Sequence, residues 1–330
     1  MSALKAHLEK EILQPLSEVQ REAVLHEGSP LLIVAGAGSG KTRVITHRIA
    51  ALCRLKGVPA YRVAAVTFTN KAAREMQERL QQLIGPMSGD LAVKTFHGLG
   101  LYILRREVSA LGLPSGFTVY DADTQESLLK KILKEFKIDP SLLSPKAAAA
   151  WINRARDELK SPENTADKNL LVSDLPEIYA EYLRQMRRAG ALDFGDLIYL
   201  TVQLFQKEAE ILEKYRQRWP HLLVDEYQDT NHAQYMLCRL IAGDAGSNLL
   251  VVGDEDQSIY SWRGADIRNI LAFEKDYPGA RVIQLTQNYR STPQILRAAD
   301  LVIRNNASRR EKVLFTENAP GPALEVALYA

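Results

Sequence analysis

Short unbroken apolar runs recur in the first hundred residues and again after residue 220. Each run ends at a turn signal and is followed by a sequence of helical pattern; the runs are 31–34, 63–68, 91–96, 222–224, 249–252 and 282–285. Apolar runs of this length are typical of strands buried on both faces of a parallel sheet. With helices in the intervals, the pattern predicts an α/β architecture.

The interval from about residue 104 to 219 has a different pattern. It carries amphipathic stretches, such as 124–136 and 174–188, and no convincing series of strands. Thr124 is a plausible N-cap for the first of these helices. The polar link 158–174, which contains Pro162, reads as a loop. The pattern predicts an all-helical subdomain inserted between two strands of the sheet.

Composition adds limits on the class of protein. The chain has 330 residues, which is the length of one large domain or of two to three small ones. Of these residues 46% are hydrophobic and 25% charged, as is ordinary for a soluble globular protein. A net charge of +2 argues neither for nor against nucleic acid. Cys53 and Cys238 have no metal spacing, and no apolar run approaches the ~18 residues of a membrane span. We expect a reduced, cytoplasmic protein without a membrane segment.

A glycine-rich loop lies between the predicted strand 31–34 and a predicted helix, 43–55. Its residues are Ala35, Gly36, Ala37, Gly38, Ser39, Gly40, Lys41 and Thr42. Glycines let several backbone N–H groups face one anion, and the helix N-terminus adds positive charge. Lys41 is predicted to contact the β and γ phosphates of ATP, and the Thr42 hydroxyl to ligate Mg²⁺. Alanine stands at the first position, where the strict motif has glycine. The alternative is an ordinary glycine-rich turn before a helix.

Two carboxylates follow the apolar run 222–224. Asp225, at the strand tip, suits a magnesium ligand that acts through water. Glu226 is predicted to orient and deprotonate the attacking water. The alternative is an acidic strand end or helix start, where carboxylates are favoured for other reasons.

Several longer segments resemble the motifs of the UvrD/Rep/PcrA group of superfamily 1 DNA helicases. Residues 225–230, 253–264 and 287–291 resemble its second, third and fourth motifs. Residues 66–73 and 95–97 resemble the motifs that line the DNA track, and Leu16 with Gln20 resembles the adenine-reading motif. Their order and spacing match the group over nearly the whole chain.

The resemblance implies a domain organisation. A RecA-like motor domain, 1A, is expected from 1–110 and 218–278, with a helical insert, 1B, at 111–217 and the start of a second motor domain, 2A, at 279–330. Members of the group continue for hundreds of residues and carry a second arginine in a sixth motif, which this sequence lacks. We therefore expect the front part of a helicase, with weak or absent ATP turnover and no unwinding by these 330 residues alone.

The resemblance also implies roles around the nucleotide. Gln20 would read the adenine edge, and Arg43 and Tyr289 would flank the ring. Gln257 would sense the γ phosphate, and Arg290 would stabilise charge on the transferring phosphoryl group. The alternatives are a surface glutamine, a solvated helix charge, a half-buried tyrosine, a loop amide and a surface salt bridge, respectively.

A third set of residues is implied to contact single-stranded DNA. Bases would stack on the aromatic rings, and the remaining side chains would contact the backbone; the residues are Phe68, Tyr260 and Trp262, then Thr67, Thr95, His97 and Arg263. Core packing is the alternative for Phe68, partial burial for Trp262 and a structural hydrogen bond for His97. In the insert, Lys130, Lys131 and Lys134 form either a solvated face or a contact with duplex DNA, and residues 193–197 read mainly as structural.

These expectations favour an ATP-driven motor on single-stranded DNA that unwinds duplex DNA with 3′ to 5′ polarity. The polarity is implied by the resemblance alone. Its substrates would be single-stranded DNA and single-strand/double-strand junctions, its cofactors ATP and Mg²⁺, and its further partners repair or replication proteins. Two alternatives stay open: a subunit of a helicase–nuclease, and a nucleotide-gated DNA-binding module without motor activity.

Overall fold

The computed structural model describes residues 2–165, 173–246, 248–306, 309–325 and 327. The chain divides into two compact units. The first unit comprises Met1–Lys94, Gln217–Thr230 and Ala242–Ala330, and the second comprises Thr95–Arg216 and Asn231–Ile241. Within the described ranges, no helix combines the length and the apolar character that a membrane span requires.

The strands and helices alternate along much of the chain. The described strands are β1 (Leu31–Ala35), β2 (Val63–Thr67), β3 (Ala92–Thr95), β4 (Thr118–Tyr120), β5 (Ala191–Asp193), β6 (His221–Val224), β7 (Leu249–Gly253) and β8 (Arg281–Leu285). The described helices are α1 (Ser2–Leu13), α2 (Glu18–Leu25), α3 (Lys41–Ala50), α4 (Asn70–Ile84), α5 (Phe96–Glu107), α6 (Ala122–Glu135), α7 (Pro145–Asp157), α8 (Leu175–Arg188), α9 (Phe194–Lys207), α10 (Ala209–Arg218), α11 (His232–Ala242), α12 (Arg268–Leu271), α13 (Phe273–Asp276) and α14 (Pro293–Ile303).

A six-stranded sheet organises the first unit. Its strand order is β3-β2-β6-β7-β1-β8, and the pairs β2–β6, β6–β7, β7–β1 and β1–β8 are parallel. All six predicted strands are present, and the α/β class, a RecA-like parallel sheet flanked by helices, is confirmed. The expectation of burial on both faces is wrong for β3 and β8, which are partly exposed. Because parallel strands end at one edge, the loops after β1, β6, β7 and β8 emerge together.

Burial explains why these short runs form strands. β1, β2 and β7 are buried along their whole length. Alternate residues such as Ile33 and Val252 pack with Val44 and Ile45 of α3, Met76 of α4 and other members of one apolar core. The predicted helix 43–55 is α3, which starts two residues earlier and continues as a π-helical turn over Ala51–Leu55.

The last strand of this sheet is an edge strand. β8 lies in the segment assigned by resemblance to a second motor domain from residue 279. In the structure, β8 pairs with β1 from Leu31↔Arg281 to Ala35↔Leu285 and is an edge strand of the first sheet. Its alternating burial, with Ile283 and Leu285 in the shared core, accounts for that pairing. The remaining division into domains 1A, 1B and 2A stays a prediction.

The second unit is mainly helical, although the prediction of an all-helical insert is wrong in one detail. β4 and β5 form a two-stranded parallel sheet with Thr118 opposite Ala191 and Tyr120 opposite Asp193. Each strand has three residues, which is too short for a recognisable apolar run. Helices α6, α7 and α8 share an apolar core that includes Leu129, Ile152 and Ile178.

Two local expectations in this unit are also changed. Asp121, rather than Thr124, caps α6, because the Asp121 carboxylate accepts the Thr124 backbone N–H at 2.9 Å. The predicted helix 174–188 is α8, preceded by Asp174. The predicted loop 158–174 contains a helical turn at Pro162–Thr165, and residues 166–172 lie outside the described ranges.

The second unit contains a buried network of charged and polar side chains around Arg156. The Arg156 guanidinium contacts Asp193 at 2.5 Å and Asp196 at 2.9 Å, and all three side chains are almost fully buried. Asp193 also accepts hydrogen bonds from Tyr182 at 2.6 Å and from Gln125 at 3.0 Å. A buried ion pair is stable only with such additional hydrogen bonds, so Asp193 and Asp196 have structural roles.

Candidate active site

Functional side chains gather at the carboxyl edge of the six-stranded sheet. The glycine-rich loop follows β1, Asp225 and Glu226 follow β6, and Asp254 follows β7. The register places Val34 beside Gly253, so these loops start at one level. The fold therefore brings together residues almost two hundred positions apart.

The glycine-rich loop has a conformation that side chains would prevent. Gly38 and Gly40 have positive φ angles of 72° and 90°. A Cβ at Gly38 would also lie 2.8 Å from the Asn288 amide nitrogen. The Ser39 hydroxyl closes the turn by donating to the Gly36 carbonyl at 2.7 Å. Since α3 begins at Lys41, its first N–H groups have no intrahelical partner and are available to an anion.

Lys41 is the centre of the site. Its Nζ donates to Glu226 Oε2 at 2.7 Å and to Gln257 Oε1 at 3.3 Å. Its side chain is 11% exposed, whereas that of Glu226 is 37% exposed. One ammonium group thus joins residues from the glycine-rich loop and from the loops after β6 and β7.

Glu226 is held in an unusual backbone conformation. Its φ angle of 51° lies in the left-handed region, which costs about 1–3 kcal/mol for such a residue. Its carboxylate also accepts the Gln228 side-chain amide at 3.0 Å. The strained turn after β6 orients this carboxylate toward Lys41.

Asp225 and Thr42 fit the ligand set of a magnesium ion. Burial, followed by the neighbouring Glu226, raises the pKa of Asp225 to about 6, so its ionised form would gain from a nearby cation. Thr42 stands at the second position of α3, at the end of the glycine-rich loop. No cluster of three or more His, Cys, Asp or Glu residues suited to a metal occurs in the described chain. Mg²⁺ usually takes only one or two protein ligands beside substrate oxygens.

Gln257 is oriented by Asp254. The Gln257 amide Nε2 donates to Asp254 Oδ2, which leaves its Oε1 facing Lys41. The Asp254 backbone N–H in turn donates to Gln228 Oε1 at 3.0 Å. The Gln257 side-chain amide is therefore fixed by hydrogen bonds at both its nitrogen and its oxygen.

A cavity of about 240 Å³ adjoins the glycine-rich loop; it is lined by Ser17, Glu18, Val19, Gln20, Ser39, Leu285, Thr286, Gln287, Tyr289 and Phe315. Gln20 is buried there and donates to the Ser39 carbonyl at 3.0 Å, so it is not a surface glutamine. Tyr289 is 42% exposed, and its backbone N–H donates to the Gly38 carbonyl at 2.9 Å. Arg43 is exposed on α3. Gln20 and Tyr289, two of the three residues predicted to surround the adenine, line this cavity, and Arg43 does not.

Arg290 is exposed beside the loop, and its Cβ would lie 2.7 Å from a Cβ built on Gly38. Within the described chain its guanidinium forms no ion pair, so the salt-bridge alternative has no support. Asn288 positions this segment, because its side-chain amide donates to the Ala37 carbonyl at 2.6 Å and accepts from the Arg290 backbone at 2.8 Å.

In the first unit, the residues predicted to contact DNA differ in exposure. Trp262 is 72% exposed, and its ring centroid lies 6.4 Å from that of Tyr260, which is 38% exposed. Phe68 is partly buried, and Thr67 is buried with its hydroxyl donating to the Thr69 carbonyl at 3.2 Å. The side chain of Arg263 lies outside the described part of the structure. The alternative interpretation of Trp262, a partly buried side chain, is therefore wrong.

In the second unit, Thr95 caps α5 by accepting the Gly98 backbone N–H at 3.0 Å. His97 packs edge-on against Phe194 with ring centroids 5.9 Å apart, and burial lowers its pKa, so the ring is neutral at pH 7. Phe194 is 54% exposed. The lysines predicted to form a basic face, Lys130, Lys131 and Lys134, are exposed.

Some contacts of the site were not predicted from sequence. Gln228 links Glu226 to Asp254, and Asn288 links the loop after β8 to the glycine-rich loop. Both lie inside quoted motifs, which was the available signal. Lys312 contacts Asp254 at 2.5 Å but lies outside every motif, and nothing in the local sequence signals that contact.

The chain is similar in sequence to known DNA helicases. The family model described as the UvrD/REP helicase N-terminal domain matches residues 16–278. The protein named ATP-dependent DNA helicase PcrA in Bacillus subtilis (strain 168) is 48% identical over 320 residues, which cover 96% of this chain and 43% of that protein. Its namesake in Staphylococcus aureus (strain Mu50) is 49% identical over 315 residues, with 94% and 43% covered. The chain thus spans less than half the length of these relatives.

Proposed function

Because the chain belongs to the UvrD/REP helicase family, we propose that it binds ATP with Mg²⁺ and single-stranded DNA as part of an ATP-dependent 3′–5′ DNA helicase. The observation that carries the proposal is the double contact of Lys41 with Glu226 and Gln257. A lysine at the end of a glycine-rich loop, beside a carboxylate and an amide, is the arrangement that phosphoryl transfer requires.

In this proposal, the ATP phosphates bind against the N-terminus of α3 and draw Lys41 away from Glu226. The released carboxylate then orients a water molecule and accepts its proton. Thr42 and Asp225 would hold Mg²⁺, which would supply charge neutralisation on the phosphate oxygens. The base occupies the cavity beside Gln20 and Tyr289, with Arg43 on the adjoining helix, and Arg290 faces the phosphoryl group.

DNA binding is proposed to depend on exposed aromatic rings. Bases of single-stranded DNA stack on such rings with about 1–3 kcal/mol per base and little sequence preference. Tyr260 and Trp262 follow Gln257 by three and five residues, so a change at the γ phosphate has a short path to the stacking rings. In the second unit, Phe194 is an additional stacking surface because it is exposed beside His97.

Binding by the 330-residue chain tests the proposal. Fluorescent ATP with Mg²⁺ and a labelled oligothymidylate would each be titrated with and without the other. We expect Lys41→Met to weaken ATP binding by about tenfold or more, the value of a charge-assisted hydrogen bond, and to leave DNA affinity largely intact. Lys275→Met, at an exposed lysine of α13, is the matched control.

These measurements test the proposed site and separate a motor from a DNA-binding module. Failure of the natural chain to bind ATP, or equal loss of ATP and DNA binding in Lys41→Met, would contradict the proposed site. DNA-stimulated hydrolysis well above background by these residues would exclude a DNA-binding module without motor activity. Absence of stimulation together with coupled binding would favour that module for this chain.

A further inference from the structure

Three consecutive carboxylates after β7 surround one buried lysine. The Lys312 ammonium contacts Asp254 at 2.5 Å, Asp256 at 2.8 Å and Glu255 at 3.5 Å. Its side chain is 4% exposed, and those of the three acids are 7% exposed or less. Burial lowers the pKa of Lys312, but the Asp254 carboxylate and its neighbours more than offset this, so the net pKa lies above its ordinary value.

The lysine connects directly to the nucleotide-sensing amide. Lys312 donates to one oxygen of Asp254, and Gln257 Nε2 donates to the other. With its nitrogen so committed, Gln257 presents its oxygen to Lys41 at 3.3 Å. Asp254 is thus the shared acceptor that fixes which end of the Gln257 amide faces the phosphate loop.

Removing the ammonium group would leave Asp254 beside Glu255 and Asp256 with less compensating charge. Buried carboxylates without a cation repel each other and seek solvent or other donors. Arg309 contacts Asp256 at 3.1 Å, and within the described residues it forms no ion pair with Asp254. The Asp256 backbone N–H also donates to Asp254 Oδ1 at 3.1 Å, but among the described residues Lys312 is the cation in contact with that carboxylate.

We infer that Lys312 is a positioning residue for γ-phosphate recognition, holding Asp254 so that Gln257 distinguishes ATP from ADP. The inference rests on the proposed function, since it assigns a determinant of selectivity to the same site. It predicts that loss of the lysine changes the preference between the two nucleotides rather than nucleotide binding in general.

The experiment measures the affinities of fluorescent ATP and fluorescent ADP, each with Mg²⁺, for the 330-residue chain. We expect the natural chain to prefer ATP by roughly tenfold or more, the value of a hydrogen bond to a charged group. Lys312→Met should reduce the preference to that of Gln257→Ala and leave ADP affinity within about twofold. In the double variant, Lys312→Met should have no further effect, because both changes act through one contact.

Arg310→Met is the matched control. Arg310 lies two residues from Lys312, but its side chain pairs with Glu274 at 2.8 Å. Arg310→Met should keep the natural preference for ATP over ADP. It therefore shows whether loss of any positive charge from this segment changes that preference, or only loss of the charge that contacts Asp254.

A second variant keeps the inference testable if Lys312→Met does not fold. Asp254→Asn removes the charge that Lys312 compensates and should also lower the preference for ATP. The inference would be overturned if Lys312→Met or Asp254→Asn retained the natural preference for ATP, or lost affinity for ATP and ADP equally. Additive effects in the double variant, or no preference for ATP in the natural chain, would also overturn it. Failure of the natural chain to bind ATP at all would instead contradict the proposed function.

Discussion

Replacement of Glu226 by glutamine is expected to tighten ATP binding although it removes the proposed catalytic base. Lys41 contacts Glu226 at 2.7 Å, so phosphates must compete with that carboxylate for the ammonium group. Glutamine keeps the shape of the side chain and removes its charge. The ammonium group is then available to the phosphates, and a negative charge beside them is lost.

The magnitude follows from the geometry of the pair. At 2.7 Å and an effective dielectric constant of about 20, the gross attraction is about 6 kcal/mol. Because Glu226 is 37% exposed, solvent offsets most of it, and a net value of about 1 kcal/mol is appropriate. That value corresponds to an increase in ATP affinity of about fivefold.

Titration of the 330-residue chain with fluorescent ATP and Mg²⁺ measures this change. Glu158→Gln, which removes a carboxylate paired with Arg154 at 3.3 Å in the second unit, should leave the affinity unchanged. Unchanged or weaker ATP binding by Glu226→Gln, with the melting temperature preserved, would refute the argument that Glu226 competes for Lys41.

The remaining predictions concern DNA and stability. Trp262→Ala should weaken binding of oligothymidylate by about 1–3 kcal/mol in fluorescence anisotropy without changing ATP affinity, because its ring is exposed; unchanged binding would remove it from the DNA site. Arg156→Met should lower the free energy of unfolding in urea by about 3–5 kcal/mol, since it leaves the buried Asp193 unpaired; a change under 1 kcal/mol would contradict this. Burial raises the pKa of Asp157 to about 7, so its contribution to stability is full below about pH 4 and is lost as the pH rises through 7. At pH 8, Asp157→Asn should therefore have a free energy of unfolding up to about 4 kcal/mol higher than that of the natural chain. At about pH 4 the two free energies should be nearly equal; an equal difference at both pH values would argue against the titration.

Local signals in the sequence were sufficient for much of the sheet. Buried strands appear as apolar runs because both faces pack against helices, and glycine marks the loop where φ is positive. β4 and β5 could not be predicted, because a strand of three residues forms no recognisable apolar run. Sequence alone does not distinguish Thr124 from Asp121 as the cap of α6, because both residue types favour that position.

Long-range pairing was the part that sequence could not supply. β8 pairs with β1 across 250 positions, from Leu31↔Arg281, and nothing local distinguishes that partner from a strand of another domain. The contact of Lys312 with Asp254 spans 58 positions and has no motif. The left-handed conformation of Glu226 is likewise invisible in a residue type that rarely adopts it.

The most direct test of the account is a structure of this chain with a non-hydrolysable ATP analogue and Mg²⁺. We expect Lys41 to leave Glu226 and contact the terminal phosphates. The ion should lie by Thr42 and Asp225, and the base should lie beside Gln20 and Tyr289. An analogue bound elsewhere, or bound with the Lys41–Glu226 contact intact, would contradict the account.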